Sequence, residues 1–87
     1  MARRILVAED EALVAALLAD LLEEASYEVT LAIDGEQALQ RAAEAEGTGR
    51  RYAALVTDLN MPRLCGEGLI RAARARDPDL PVLVVTG

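Results

Sequence analysis

Glu9, Asp10 and Asp58 are the residues of this chain best suited to do chemistry. Asp10 follows the apolar run Ile5-Leu6-Val7-Ala8, and Asp58 follows another, Ala53-Ala54-Leu55-Val56-Thr57. A strand ahead of each aspartate would deliver its carboxylate to the C-terminal edge of one sheet, where open α/β sheets bind their ligands. Two or three carboxylates gathered there, Glu9 included, repel one another unless a hard cation lies between them. The expectation is a Mg²⁺-type site with a nucleophilic or metal-binding aspartate.

The elements that must position these groups can be read from periodicity. Ile5 to Ala8 has the continuous apolar character of a strand buried on both faces. From Glu11 to about Ala25, Leu13, Leu17 and Leu21, with Val14, Leu18 and Leu22 beside them, recur every three to four residues. That spacing predicts an amphipathic helix, with the Leu13/Leu17/Leu21 stripe in the core and Asp20, Glu23 and Glu24 outward. Glu28 to Ala32 reads as a short strand. Asp34-Gly35 is a turn, with Asp34 able to cap a helix from Glu36 to Ala45 whose Ala38, Leu39, Ala42 and Ala43 face inward.

Gly47-Thr48-Gly49-Arg50-Arg51 then forms a polar connection. After the strand Ala53 to Thr57, a loop holding Met61-Pro62 and Gly66 leads to a helix from Leu69 to Arg76. Arg71, Arg74 and Arg76 lie on its solvated face. Asp77-Pro78-Asp79 breaks that helix, and Pro81 to Thr86 is a last, very apolar strand. The order βαβαβαβ with short links predicts an α/β fold: a parallel, doubly wound sheet with right-handed crossovers.

Composition narrows the function classes. The 87 residues fit one small domain, which buries only roughly 60–65% of its unfolded surface. Apolar residues make up 53%, without Phe or Trp, so the core must be built from Ala, Leu, Val and Ile. All nine basic residues are Arg, and His is absent, which removes the commonest general base and the usual zinc ligand. A net charge of −6 argues against unspecific attraction to nucleic acid. The single Cys65 cannot form an internal disulfide and fits a reducing compartment. No run approaches the roughly 20 apolar residues of a membrane span, and no signal-peptide pattern opens the chain. A cytoplasmic location is expected.

Together, three segments resemble the receiver domain of two-component response regulators, the CheY-like family. They are Ile5-Leu6-Val7-Ala8-Glu9-Asp10-Glu11, the Asp-x-x-Met-Pro-x-x-x-Gly stretch from Asp58 to Gly66, and Val82-Leu83-Val84-Val85-Thr86-Gly87. The resemblance implies a flavodoxin-like sheet of order 2-1-3-4 and makes Asp58 the phosphoacceptor. It implies Mg²⁺ held by Asp10, Asp58 and the backbone carbonyl of Asn60, with Glu9 acting directly or through water. Thr86 would hydrogen-bond a phosphoryl oxygen, beside Gly87, which leaves room for it. Asn60 would also tune attack of water on the acyl phosphate. The implied partner is a sensor histidine kinase or phosphotransfer protein, docking on the outer face of the first helix. Cys65 sits where the family often has a polar residue and is read as a bystander.

The chain departs from the family in one respect. Receiver domains continue into a further helix, a fifth strand ending in Lys-Pro and a last helix, so the resemblance covers the chain as a receiver domain without its C-terminal third. The 87 residues contain no Lys. Loss of such a charge-stabilising donor typically costs about 3–4 kcal/mol of transition-state stabilisation, so slow phosphorylation is expected. Val82 to Val85 would be an unguarded apolar edge strand. Either these residues belong to a longer protein, or a second copy covers the edge as a homodimer or swapped oligomer.

Two other functions fit parts of the pattern. A haloacid-dehalogenase-like phosphatase also uses a strand-end Asp and Mg²⁺, but it carries a second Asp two residues on, where this chain has Asn60. A non-phosphorylated pseudo-receiver would serve purely as an interaction module.

Overall fold

A computed structural model describes residues 3–58 and 66–85 of the chain. Strand β1 (Arg4–Ala8) leads to helix α1 (Ala12–Glu24), β2 (Glu28–Ala32), α2 (Gly35–Thr48), β3 (Ala54–Asp58), α3 (Gly66–Arg76) and β4 (Val82–Val85). The strands form one parallel sheet in the order β2-β1-β3-β4. This is the doubly wound α/β arrangement that the alternation of patterns predicts.

Alternation along β1 divides the core between the two sheet faces. Leu6 and Ala8 pack with Ala38 of α2 and with Leu69 and Ala73 of α3. Ile5 and Val7 face the other way, against Leu18 and Leu22 of α1, Tyr27 and Val85. The small Ala side chains on α2 and α3 let those helices sit close to the sheet. Burial of Leu55 and Leu69, both essentially inaccessible to water, anchors this larger half of the core.

One expectation is overturned. Leu13, Leu17 and Leu21 are 77%, 64% and 63% exposed and are not core. The buried side of α1 is Ala15, with Leu18 and Leu22 packed on the sheet. A helix turns about 100° per residue, so two leucine stripes one residue apart lie about a quarter of a turn or more from each other. Both satisfy the same periodicity. The direction from which the sheet approaches decides between them.

Element ends differ where local backbone chemistry governs. Asp34 accepts a hydrogen bond from the Gln37 N–H at 2.7 Å, the expected cap, while Gln37 Oε1 accepts from the Ile33 N–H at 2.9 Å. Helix α2 outlasts its expected end at Ala45 and continues to Thr48, stopping where Gly49 turns left-handed at φ 75°. There the Gly49 and Arg50 N–H groups donate to the Glu46 and Ala45 carbonyls. Helix α3 begins at Gly66, ahead of the expected Leu69.

At the end of α1 the same job falls to Ser26, at φ 72°. The Ser26 N–H donates to the Glu23 carbonyl and the Tyr27 N–H to the Leu22 carbonyl, and Tyr27 packs in the same cluster as Leu22. A left-handed conformation is costly for a residue with a Cβ. Ser26→Gly is therefore expected to raise stability by about 0.5–1 kcal/mol, after allowing for the freer unfolded chain. Gly49→Ala should lower it by about 1 kcal/mol, through φ alone, since a Cβ there meets nothing within 4 Å. Urea denaturation of the two variants checks both signs.

Candidate metal and phosphoryl site

The parallel register of β1 and β3 builds the site. Ala8 lies beside Thr57 at the C-terminal ends of the two strands, so the residues that follow emerge at one level. Glu9, Asp10 and Asp58 each place a carboxylate oxygen within 4.8 Å of the others. The central position of β1 and β3 in the sheet keeps this meeting point inside the fold's open edge.

The three carboxylates differ in environment. Asp10 is exposed and Asp58 half-buried, whereas Glu9 is 5% exposed. Glu9 is held there by its backbone, whose N–H donates to the Ala32 carbonyl of β2 at 2.9 Å and so carries the β1–β2 ladder one residue on. Its Oε2 is buried without a hydrogen-bond partner among the described residues. Beneath Asp58, fully buried Thr57 donates its hydroxyl to the Asp58 carbonyl at 2.9 Å. That bond ties down the strand end that carries the aspartate.

The environment pushes the Glu9 carboxyl above its ordinary value. Burial is the main cause, hydrogen bonding with Asp10 adds to it, and the nearby charge of Asp58 contributes further. The Glu11 backbone N–H pulls the other way. Close carboxylates cannot all ionise cheaply, and sharing a proton is one way to relieve them. A divalent cation is another. The orphaned oxygen of Glu9 and an all-oxygen, acidic donor set suit Mg²⁺, which takes one or two carboxylates together with water and phosphate oxygens.

Asn60 and Thr86, expected at the same site, lie outside the described residues, as do Met61, Pro62, Cys65 and Gly87. Sequence reasoning overlooked two features. Thr57 reads as a β-branched strand residue, and its hydroxyl bond to the strand end has no sequence signature. Glu9 is expected as a metal ligand, but its burial at 5% exposure and its unpartnered oxygen have no sequence signature.

The response regulator receiver domain model matches residues 5–87, and the chain belongs to that family of two-component signalling domains. It is 42% identical over 83 residues to the transcriptional regulatory protein PrrA of Mycobacterium leprae, covering 95% of this chain and 34% of that protein. It is 38% identical over 85 residues to the response regulator receiver protein CpdR of Brucella abortus, covering 98% of this chain and 67% of CpdR. The chain thus spans about a third of the length of PrrA. Among solved structures, the Thermotoga maritima response regulator TrrA, in complex with Mg²⁺-BeF, superposes with a TM-score of 0.82 at 30% identity. That match covers 97% of this chain and 69% of TrrA. The receiver domain of the hybrid histidine kinase CckA superposes with a TM-score of 0.83 at 41% identity, over 93% of this chain and 72% of that one.

The raised Glu9 value sets the sign of a pH effect. In the metal-free chain the folded state keeps a proton that the unfolded state has released above the ordinary value of 4.5. Stability should therefore be undiminished below that value and fall as pH rises through the raised folded value. Glu9→Gln should flatten this part of the profile. Urea melts in a chelator from about pH 4 to about pH 8 make the comparison.

Proposed function

We propose that this receiver domain takes a phosphoryl group from the phosphohistidine of a sensor histidine kinase or phosphotransfer protein onto Asp58, in the cytoplasm. The observation that supports the reading best is the convergence of Glu9, Asp10 and Asp58 at one sheet edge. A carboxylate oxygen of Asp58 would attack phosphorus as the phosphorus–nitrogen bond of the donor breaks. The electron pair leaves with the imidazole nitrogen, and the product is an acyl phosphate on Asp58. Such transfers ask the protein mainly for positioning and charge compensation.

In this reading Glu9 and Asp10 hold Mg²⁺ with Asp58 and the backbone carbonyl of Asn60. Bound Mg²⁺ supplies the positive charge that offsets the phosphoryl oxygens. Thr57 keeps the end of β3 fixed, so the nucleophile stays at the height of Asp10. Thr86, which directly follows β4, donates its hydroxyl to a phosphoryl oxygen. The family match favours this function over the phosphatase reading. The pseudo-receiver reading differs from it only in whether Asp58 is modified.

Incubation with Mg²⁺ and a small phosphodonor, followed by intact mass measurement, tests the proposal. One phosphoryl group should be gained, and none in Asp58→Asn. No gain by the unsubstituted chain would favour the pseudo-receiver.

Two situations would cover the β4 edge: these residues belong to a longer protein, or a second copy of the chain pairs with the strand. Among the described residues β4 pairs only with β3, and its Leu83 is 62% exposed. An open apolar edge can extend the sheet by pairing with the same strand of another copy about a two-fold axis. Sedimentation should show a concentration-dependent dimer that Leu83→Lys returns to monomer. A monomer at every concentration would rule out the second copy.

A further inference from the structure

The N-terminal edge of the sheet, opposite the carboxylates, is basic. Arg3 and Arg4 lead into β1, while Arg50 and Arg51 precede β3. The pairing of Ile5 with Ala54 brings the two segments side by side. All four arginines line one cleft of about 560 Å³, together with Glu28 and Gly49. Volumes of about 300–1,000 Å³ are usual for small-molecule sites.

The arginines are not equivalent. Arg4 is fixed: its Nη1 donates to the Arg50 carbonyl at 2.7 Å and its Nη2 to the Tyr52 hydroxyl at 3.3 Å, with the guanidinium 4.6 Å from the Tyr52 ring centroid. Arg50 reaches Glu28 at 3.5 Å, a long contact between two side chains that are more than half exposed. Such a pair contributes little and is readily exchanged for a better acceptor. Arg3 and Arg51 are exposed, and neither makes an ion pair among the described residues. Three exposed arginines, Arg3, Arg50 and Arg51, thus share the cleft with the fixed Arg4 and one carboxylate, on a chain of net charge −6.

We propose that this cleft binds a compact, multiply charged phosphate ligand of the tripolyphosphate or nucleoside triphosphate class. Guanidinium groups match phosphate oxygens in pairs and stay charged at any physiological pH. A phosphate chain offers several acceptors for the three exposed guanidinium groups, where Glu28 offers two oxygens to one. The acidic remainder of the surface repels a long polyanion, which favours a compact ligand over nucleic acid. Gly49, whose left-handed backbone ends α2, sets the direction in which Arg50 and Arg51 leave the helix. The site is separate from Asp58, so the proposal stands or falls independently of phosphorylation.

Calorimetric titration of the full chain with inorganic tripolyphosphate, in a chelator that keeps metal from the carboxylates, tests it. Saturable one-to-one binding is expected. Arg3→Gln combined with Arg51→Gln should weaken it by at least about tenfold, the loss of one or two charge-assisted hydrogen bonds. Arg71→Gln with Arg74→Gln, which lowers the charge equally on the exposed face of α3, should leave it unchanged. Circular dichroism checks that each variant is folded, and the single variants Arg3→Gln and Arg51→Gln should each show part of the loss. Equal affinity for ATP assigns recognition to the phosphate chain, and tighter ATP binding adds a contact to the nucleoside. Absence of saturation, equal weakening in both double variants, or tighter binding of a single-stranded oligonucleotide would overturn the proposal.

Discussion

Everything at the acidic edge depends on the parallel hydrogen-bonded register of β1 with β3. Ala8 beside Thr57 fixes where the two strands run out, and the next side chains are carboxylates. A shift of one residue would turn Asp58 to the opposite face and undo the cluster. The buried side chains of Ile5 to Ala8 and Leu55 to Thr57 forbid that shift, because it would exchange the two faces of the core. Packing of apolar residues therefore holds like charges together, although the charges themselves oppose it.

That opposition is concentrated on Glu9. A solvated carboxylate could turn away from its neighbours, but the bond from its N–H to Ala32 fixes it in the ladder with one oxygen unpartnered. Stability given up by the fold in this way is characteristic of functional sites, where a ligand or proton restores the balance. Asp58, only half-buried, keeps contact with solvent at the same edge. Thr57 beneath it supplies rigidity without adding charge.

The opposite edge shows the same logic with the sign reversed. Two Arg-Arg pairs, far apart in the chain, lead into adjacent strands and meet where the sheet begins. Stacking on Tyr52 and the Arg50 carbonyl tie down Arg4, which stiffens the cleft that the other arginines line. The molecule is thus polarised along its strands, acidic where they end and basic where they start.

Local chemistry written in the sequence determined the strands, the Asp34 cap and the placement of Asp10 and Asp58 at strand ends, because these follow from runs and turns within a few residues. The three motif segments sufficed to indicate the receiver family for the same reason: each is a short stretch whose residue types report its own backbone setting. Contacts between distant segments decided the rest. Periodicity gave α1 two equivalent leucine stripes, and the side on which the sheet lay packed Leu18 and Leu22, partly buried, against it while exposing Leu13, Leu17 and Leu21. The bond from the Glu9 N–H needed Ala32 of β2 beside it, and the meeting of Arg4 with Arg50 joined residues 46 positions apart. Solvent exclusion and charge proximity are properties of neighbours in space, and a linear pattern records only neighbours along the chain.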